Sequence, residues 1–211
     1  PISRTKFLSR YVALVDAPAE RLALIRTLLE QKNVSGAEEQ LRILLASSPS
    51  HAEGQLLNGV LCMQREQYEA AETAFDTALR GGANRKKCLM GMGMASLGRA
   101  YAQGAWERFL QVLEECPDDA EAVHWLLRAG TAQNRWDEVS RYLRKYLLRN
   151  PADLAIRFAL AGVLVRGEEI EAAHQEYDTL RALAPTYDGL IELGQAISRK
   201  QAVSTMEAAH P

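Results

Sequence analysis

Cysteine is scarce and odd in number. Cys62, Cys88 and Cys116 are widely spaced, which argues against a disulfide framework and reads as the reduced thiols of a cytosolic protein. An excess of charge of one sign is missing too. The formal charge of −2 gives no general drive toward nucleic acid or an acidic membrane surface. No apolar run approaches the roughly 18 residues that a spanning helix needs, and no charged-then-apolar leader with a cleavage site appears. The strict polar–apolar alternation of a half-buried strand is absent throughout. The sequence opens on Pro1 instead of Met, which points to a fragment or a processed form. What remains is 211 residues, 47% apolar and 25% charged, an ordinary globular composition with enough chain to bury a core.

Reactive constellations are equally thin. His51, His124, His174 and His210 are far apart and form no His-Glu-x-x-His zinc helix. His51-Ala-Glu53 has the outline of a deaminase ligand and acid, but no Pro-Cys-x-x-Cys follows it. Cys116 ends a helical stretch with no evident histidine partner and reads as structural. Gly91-Met-Gly93 with Gly98 lies inside a helical pattern, whereas a dinucleotide cradle needs a strand before its glycines. Asp118-Asp119 is explained by helix capping. No catalytic residue, cofactor or metal ligand is therefore assigned. Of two basic clusters, Arg85-Lys86-Lys87 sits at a helix start, and the set Arg141, Arg144, Lys145 and Arg149 reads as a solvated helix face opposite Val139, Leu143 and Tyr146.

The positive signal is a period. In Tyr68–Ala83, the residues Ala71, Ala74, Phe75 and Ala78 share one helical stripe. Steps of 34 residues return it: Ala71 recurs as Ala37, Ala105, Val139 and Ala173. Phe75 recurs as Leu41, Phe109, Leu143 and Tyr177, and Ala78 as Leu44, Val112, Tyr146 and Leu180. A helix-ending turn follows each time, at Pro49, Ala83, Pro117, Pro151 and Pro185. Upstream in each unit stand Leu24, Asn58, Met92, Leu126 and Leu160, followed by Ile25, Gly59, Gly93, Leu127 and Ala161.

A 34-residue unit built this way resembles the tetratricopeptide repeat over about residues 18 to 200. The resemblance implies an all-α fold, a right-handed superhelix (α-solenoid) of five helix pairs with a C-terminal capping helix. Departures are specific. Ile25 and Leu127 are bulky where a small residue is usual, so those pairs are expected further apart, and Asn58 is polar where the family is apolar. Arg21 and Gln55 stand where the family has Trp or Leu, leaving the first two repeats degenerate at their start.

Domain organisation follows. Residues 1–17 form an N-terminal helix and linker, 18–51, 52–85, 86–119, 120–153 and 154–187 are the repeats, 187–200 the cap and 201–211 a mobile tail. Within these, helices are expected near 18–31 and 35–47, 52–65 and 68–80, 86–98 and 102–115, 119–132 and 136–149, and 153–166 and 169–183. Asp118 and Asp153 are placed as N-caps, and Leu190, Ile191, Leu193 and Ile197 as the face that covers the last repeat. The first residues, Pro1 to Val12, also resemble the last helix of a response-regulator receiver domain. The alternative is the second helix of an earlier repeat.

In proteins of this family the first helix of each pair lines a concave surface that holds a partner peptide or helix. The resemblance therefore implies another protein as partner, with no nucleic acid and no membrane. The corresponding outward residues are Leu22, Arg26 and Leu29; Leu56, Val60 and Met63; Met90, Met94 and Leu97; His124 and Arg128; Phe158 and Arg166. The first three sets are apolar, and Met63, Met90 and Met94 make a soft, adaptable patch. The opposing reading is that these residues are core. Relatives that clamp chaperone C-terminal carboxylates carry Lys and Asn where this chain has Leu22 and Arg26, which argues against that activity. The functional expectation is a cytoplasmic, non-catalytic scaffold or adaptor. Its alternatives are an output module behind an upstream receiver and an accessory domain of a larger transferase.

Overall fold

The structure, a computed structural model, describes residues 18–209. The segment expected to hold the N-terminal helix and the receiver resemblance, and also His210, lies outside the described residues. Within them every element is an α-helix: α1 Pro18–Glu30, α2 Val34–Ser47, α3 Ala52–Gln64, α4 Tyr68–Arg80, α5 Arg85–Gly98, α6 Ala102–Glu115, α7 Ala120–Thr131, α8 Trp136–Leu147, α9 Leu154–Arg166, α10 Ile170–Leu183 and α11 Leu190–Ala209. In the first unit α1 packs on α2 and α3 on α4, with α5 against α4; in the second α7 packs on α8 and α9 on α10, and α11 packs on α10 and α9. The chain divides into two compact units, the first ending at Arg108 and the second starting at Phe109.

In the first unit the small residues of α4 set the packing. Ala71, Ala74 and Ala78 are almost wholly buried, which lets the neighbouring helices come close. Phe75 fills the remaining space between two glycines. A Cβ on Gly59 would stand 2.6 Å from its ring, and one on Gly91 2.5 Å. The glycines of α3 and α5 are thus the sockets for the aromatic knob of α4. In the second unit the same column gives Phe109, fully buried and stacked on Trp125 with ring centroids 6.2 Å apart.

The turn inside each pair has one construction. Lys32, Glu66, Ala100, Asn134 and Glu168 have φ between 55° and 65°, and they are spaced by the 34-residue period. After each, the next N–H reaches back five residues to a helix carbonyl: Asn33 to Leu28, Gln67 to Cys62, Tyr101 to Ser96, Arg135 to Gly130 and Glu169 to Leu164. This closure satisfies carbonyls that the helix end leaves open.

Five helix starts, those of α2, α3, α5, α7 and α9, are capped by side chains. Asn33, Asn84, Asp119 and Asp153 each accept a bond from the N–H three residues on, as does the His51 ring nitrogen from Gly54. His51 is therefore occupied as a cap of α3. The cap of α7 is Asp119, not the expected Asp118, which instead lies 3.6 Å from Arg149. Tyr146 donates to Asp153 at 3.0 Å, and burial followed by that bond pushes its phenol above the ordinary value.

Two expectations at the C-terminus are altered. Leu190, Leu193 and Ile197 are buried, but Ile191 is 73% exposed, because the buried stripe follows the three-and-four spacing and leaves it off the face. Residues 201–209, expected as a tail, continue α11. Neither Gly nor Pro interrupts the chain between Gly194 and Pro211, so nothing stops the helix earlier.

Candidate functional site

In the first unit the expected open face is largely packed. Leu22, Leu56 and Met90 are buried, while Leu29, Met63, Met94 and Leu97 are half-buried. The reason lies in α5, where Cys88 through Gly93, with Ala95 and Ser96, are all buried. A first helix touches both its own partner and its neighbours, so its apolar face is wider than one column. Met63 packs on the cluster of Leu56, Phe75 and Met92. Val60 remains 41% exposed, and Arg26 is exposed but paired with Glu53 at 2.6 Å.

A cavity of about 530 Å³ in the same unit lies between α2 and α3, with Glu38, Glu39, Arg42, Cys62 and Arg65 among its walls. Its charges are spent on one another. Arg65 pairs with Glu38, and Arg42 with Glu39. The hydrogen bond from Arg42 holds the Glu39 carboxyl below its usual range. Burial pushes the Cys62 thiol up, away from the thiolate that nucleophilic chemistry requires. Among the described residues no three of His, Cys, Asp and Glu gather as a metal site, and no helix is long and apolar enough to cross a membrane.

The second unit is built differently. A cleft of about 550 Å³ opens between α7 and α9. Arg128 stands at one side, its guanidinium 4.8 Å from the centre of the Trp125 ring, and His124 meets the same ring edge-on at 5.9 Å. Arg166 stands at the other, 5.6 Å from the centre of Trp136. The floor includes Gly162, where an added Cβ would meet nothing within 4 Å. A second cavity of about 490 Å³ shares Asn134, Trp136 and Arg166 with the first and adds Asp137, Glu138 and Glu168. Arg128 and Arg166, assigned from their register, thus come together on one cleft. Phe158 does not join them: it packs on Tyr187 at 5.4 Å and would meet a Cβ on Gly189 at 2.9 Å.

Trp136, Thr131, Asn134 and Gly162 line the cleft without having been expected there. Trp136 and Asn134 belong to the start of α8 and the turn before it, and only the first helix of each pair was read as groove-forming. The signal available in the sequence is Trp136 itself, a large aromatic at the start of a second helix.

A sequence model described as tetratricopeptide repeat matches residues 22–85. No curated protein matches the chain. Among solved structures, YrrB, described as a tetratricopeptide-repeat protein with an unusual peptide-binding site, superposes with a TM-score of 0.77 at 14% identity, covering 90% of this chain and 99% of its own. PilW, a type IV pilus biogenesis factor, gives 0.69 at 18% identity, covering 88% and 87%. PilF of Pseudomonas aeruginosa gives 0.65 at 19%, covering 92% and 88%. At these identities the likeness is one of fold. This chain is a tetratricopeptide-repeat fold of five helix pairs and a closing helix, with residues 22–85 matching the family's own sequence pattern.

Proposed function

We propose that the chain is an interaction scaffold without chemistry of its own, and that it holds a segment of another protein in the cleft between α7 and α9. One observation carries the reading: the cleft is open at its floor, where Gly162 faces empty space, and is walled by exposed side chains already fixed on tryptophan rings. Side chains held in place before binding lose little entropy on it, which favours recognition by a preformed surface. The methionine-rich face of the first unit supports partner binding less, because Met90 belongs to its core. The description of YrrB as a peptide binder agrees with an extended segment as the occupant.

The test uses Gly162→Phe, which fills the cleft from below. Helix content by circular dichroism is expected to be unchanged, since nothing lies within 4 Å of the new Cβ. Pull-down from lysate followed by mass spectrometry is expected to lose partners that wild type retains. An identical partner list for a folded variant would refute the reading.

A further inference from the structure

Resting on the cleft of the second unit as a binding site, we infer that its ligand is an acidic stretch of polypeptide, bound through carboxylates to Arg128 and Arg166. The argument is one of charge left over. In this unit Arg135, Arg144, Arg149, Arg157 and Arg181 each have a carboxylate within 3.6 Å, supplied by Glu138, Glu169, Asp118, Glu176 and Asp178. Arg128 and Arg166 have no such partner among the described residues; aromatic rings hold them instead. Both side chains are exposed, and the cleft that they flank has no aspartate or glutamate in its wall.

The contrast with the adjoining cavity is informative. There Asp137, Glu138 and Glu168 accompany Arg135 and Arg166, and Glu138 and Glu168 are matched by Arg135 and Lys200. Of these two cavities, the one between α7 and α9 is the one with arginines and no carboxylate among its lining residues. A guanidinium stacked on an indole keeps its N–H edge free for a carboxylate, and its planar fork suits bidentate pairing. Stacking also fixes where that edge points, so two carboxylates on one extended peptide meet two prearranged donors. Asn134 and Thr131 add neutral polar groups to the wall, suited to the peptide backbone.

The experiment is selection of random peptides from a phage-displayed library on immobilised wild-type chain, with Gly162→Phe as the counter-selection. Cleft-dependent peptides are expected to be rich in Asp and Glu. A synthetic peptide of the selected sequence is then titrated against the chain, following tryptophan fluorescence. Replacing each of its acids by the matching amide, or using the double variant Arg128→Gln with Arg166→Gln, is expected to weaken binding by about tenfold or more. Raising the ionic strength should weaken the wild-type complex and leave the residual binding of the double variant nearly unchanged. Neutral or basic peptides that still depend on the open cleft would overturn the acidic ligand and leave the scaffold reading standing. Failure to select any peptide sensitive to Gly162→Phe would overturn both.

Discussion

Met90 shows what a single residue adds to a column assignment. Its place on the outward side of a first helix made it a groove residue in the sequence, yet it is 6% exposed. The two readings predict opposite outcomes for Met90→Glu. An unpaired carboxylate at a position this buried costs about 3–5 kcal/mol. Urea unfolding is expected to show a loss of that order, with the chain at or below the margin of stability. A variant as stable as wild type would return Met90 to the surface. Phe75 carries the same lesson in the legible direction. Its size among alanines announced a packing centre, and Gly59 and Gly91 are open to its ring. What the sequence could not supply was the second neighbour, since glycine in a helix marks close approach without naming what approaches.

At the scale of the helix pair, the stripe columns were legible because they repeat an apolar pattern. The polar columns were not. Arg21 and Gln55 read as degenerate starts, but the structure gives them fixed work. Arg21 bonds Gln40 at 2.8 Å and Arg157, in the same column, bonds Glu176 at 2.6 Å, each pair 19 residues apart. Gln55 and Arg157 also bond the carbonyls of Pro49 and Pro151, six residues back. A polar residue at this column closes the loop before its helix, where an apolar one would fill the core. The left-handed turn residues went unseen for a related reason. Turn prediction looks for glycine, and Lys32, Glu66, Ala100, Asn134 and Glu168 include none. Ala100, exposed and at φ 59°, isolates the cost. A non-glycine residue in this region gives up about 1–2 kcal/mol, and glycine loses about 0.4–1 kcal/mol of that through its freer unfolded chain. Ala100→Gly is therefore expected to raise stability by about 0.5–1 kcal/mol in denaturant unfolding. A loss of stability would mean that the Ala100 methyl group does more than the backbone geometry implies.

Over the whole chain, stability is a sum of neighbouring contacts, because each pair in such an array rests on the next. The closing helix α11 makes this measurable. It buries Leu190, Leu193 and Ile197, about 1.5–3 kcal/mol for each side chain. Ending the chain after Gly189 should speed amide hydrogen exchange in α9 and α10 and leave α1 to α4 at wild-type rates. Uniform loss of protection along the chain would show a single cooperative block instead. The ion pairs set a further rule. Glu38 pairs with Arg65, and Glu72 with Arg99 at 2.8 Å, each across 27 residues from a second helix to the end of the following first helix. The pair α3/α4 holds both halves of this device, Arg65 and Glu72. The same columns in the third to fifth pairs read Arg99 and Trp106, Gln133 and Ser140, and Gly167 and His174. Only the α3/α4 unit would therefore regenerate its own staple when copied in tandem, so it is the natural building block for lengthening the array.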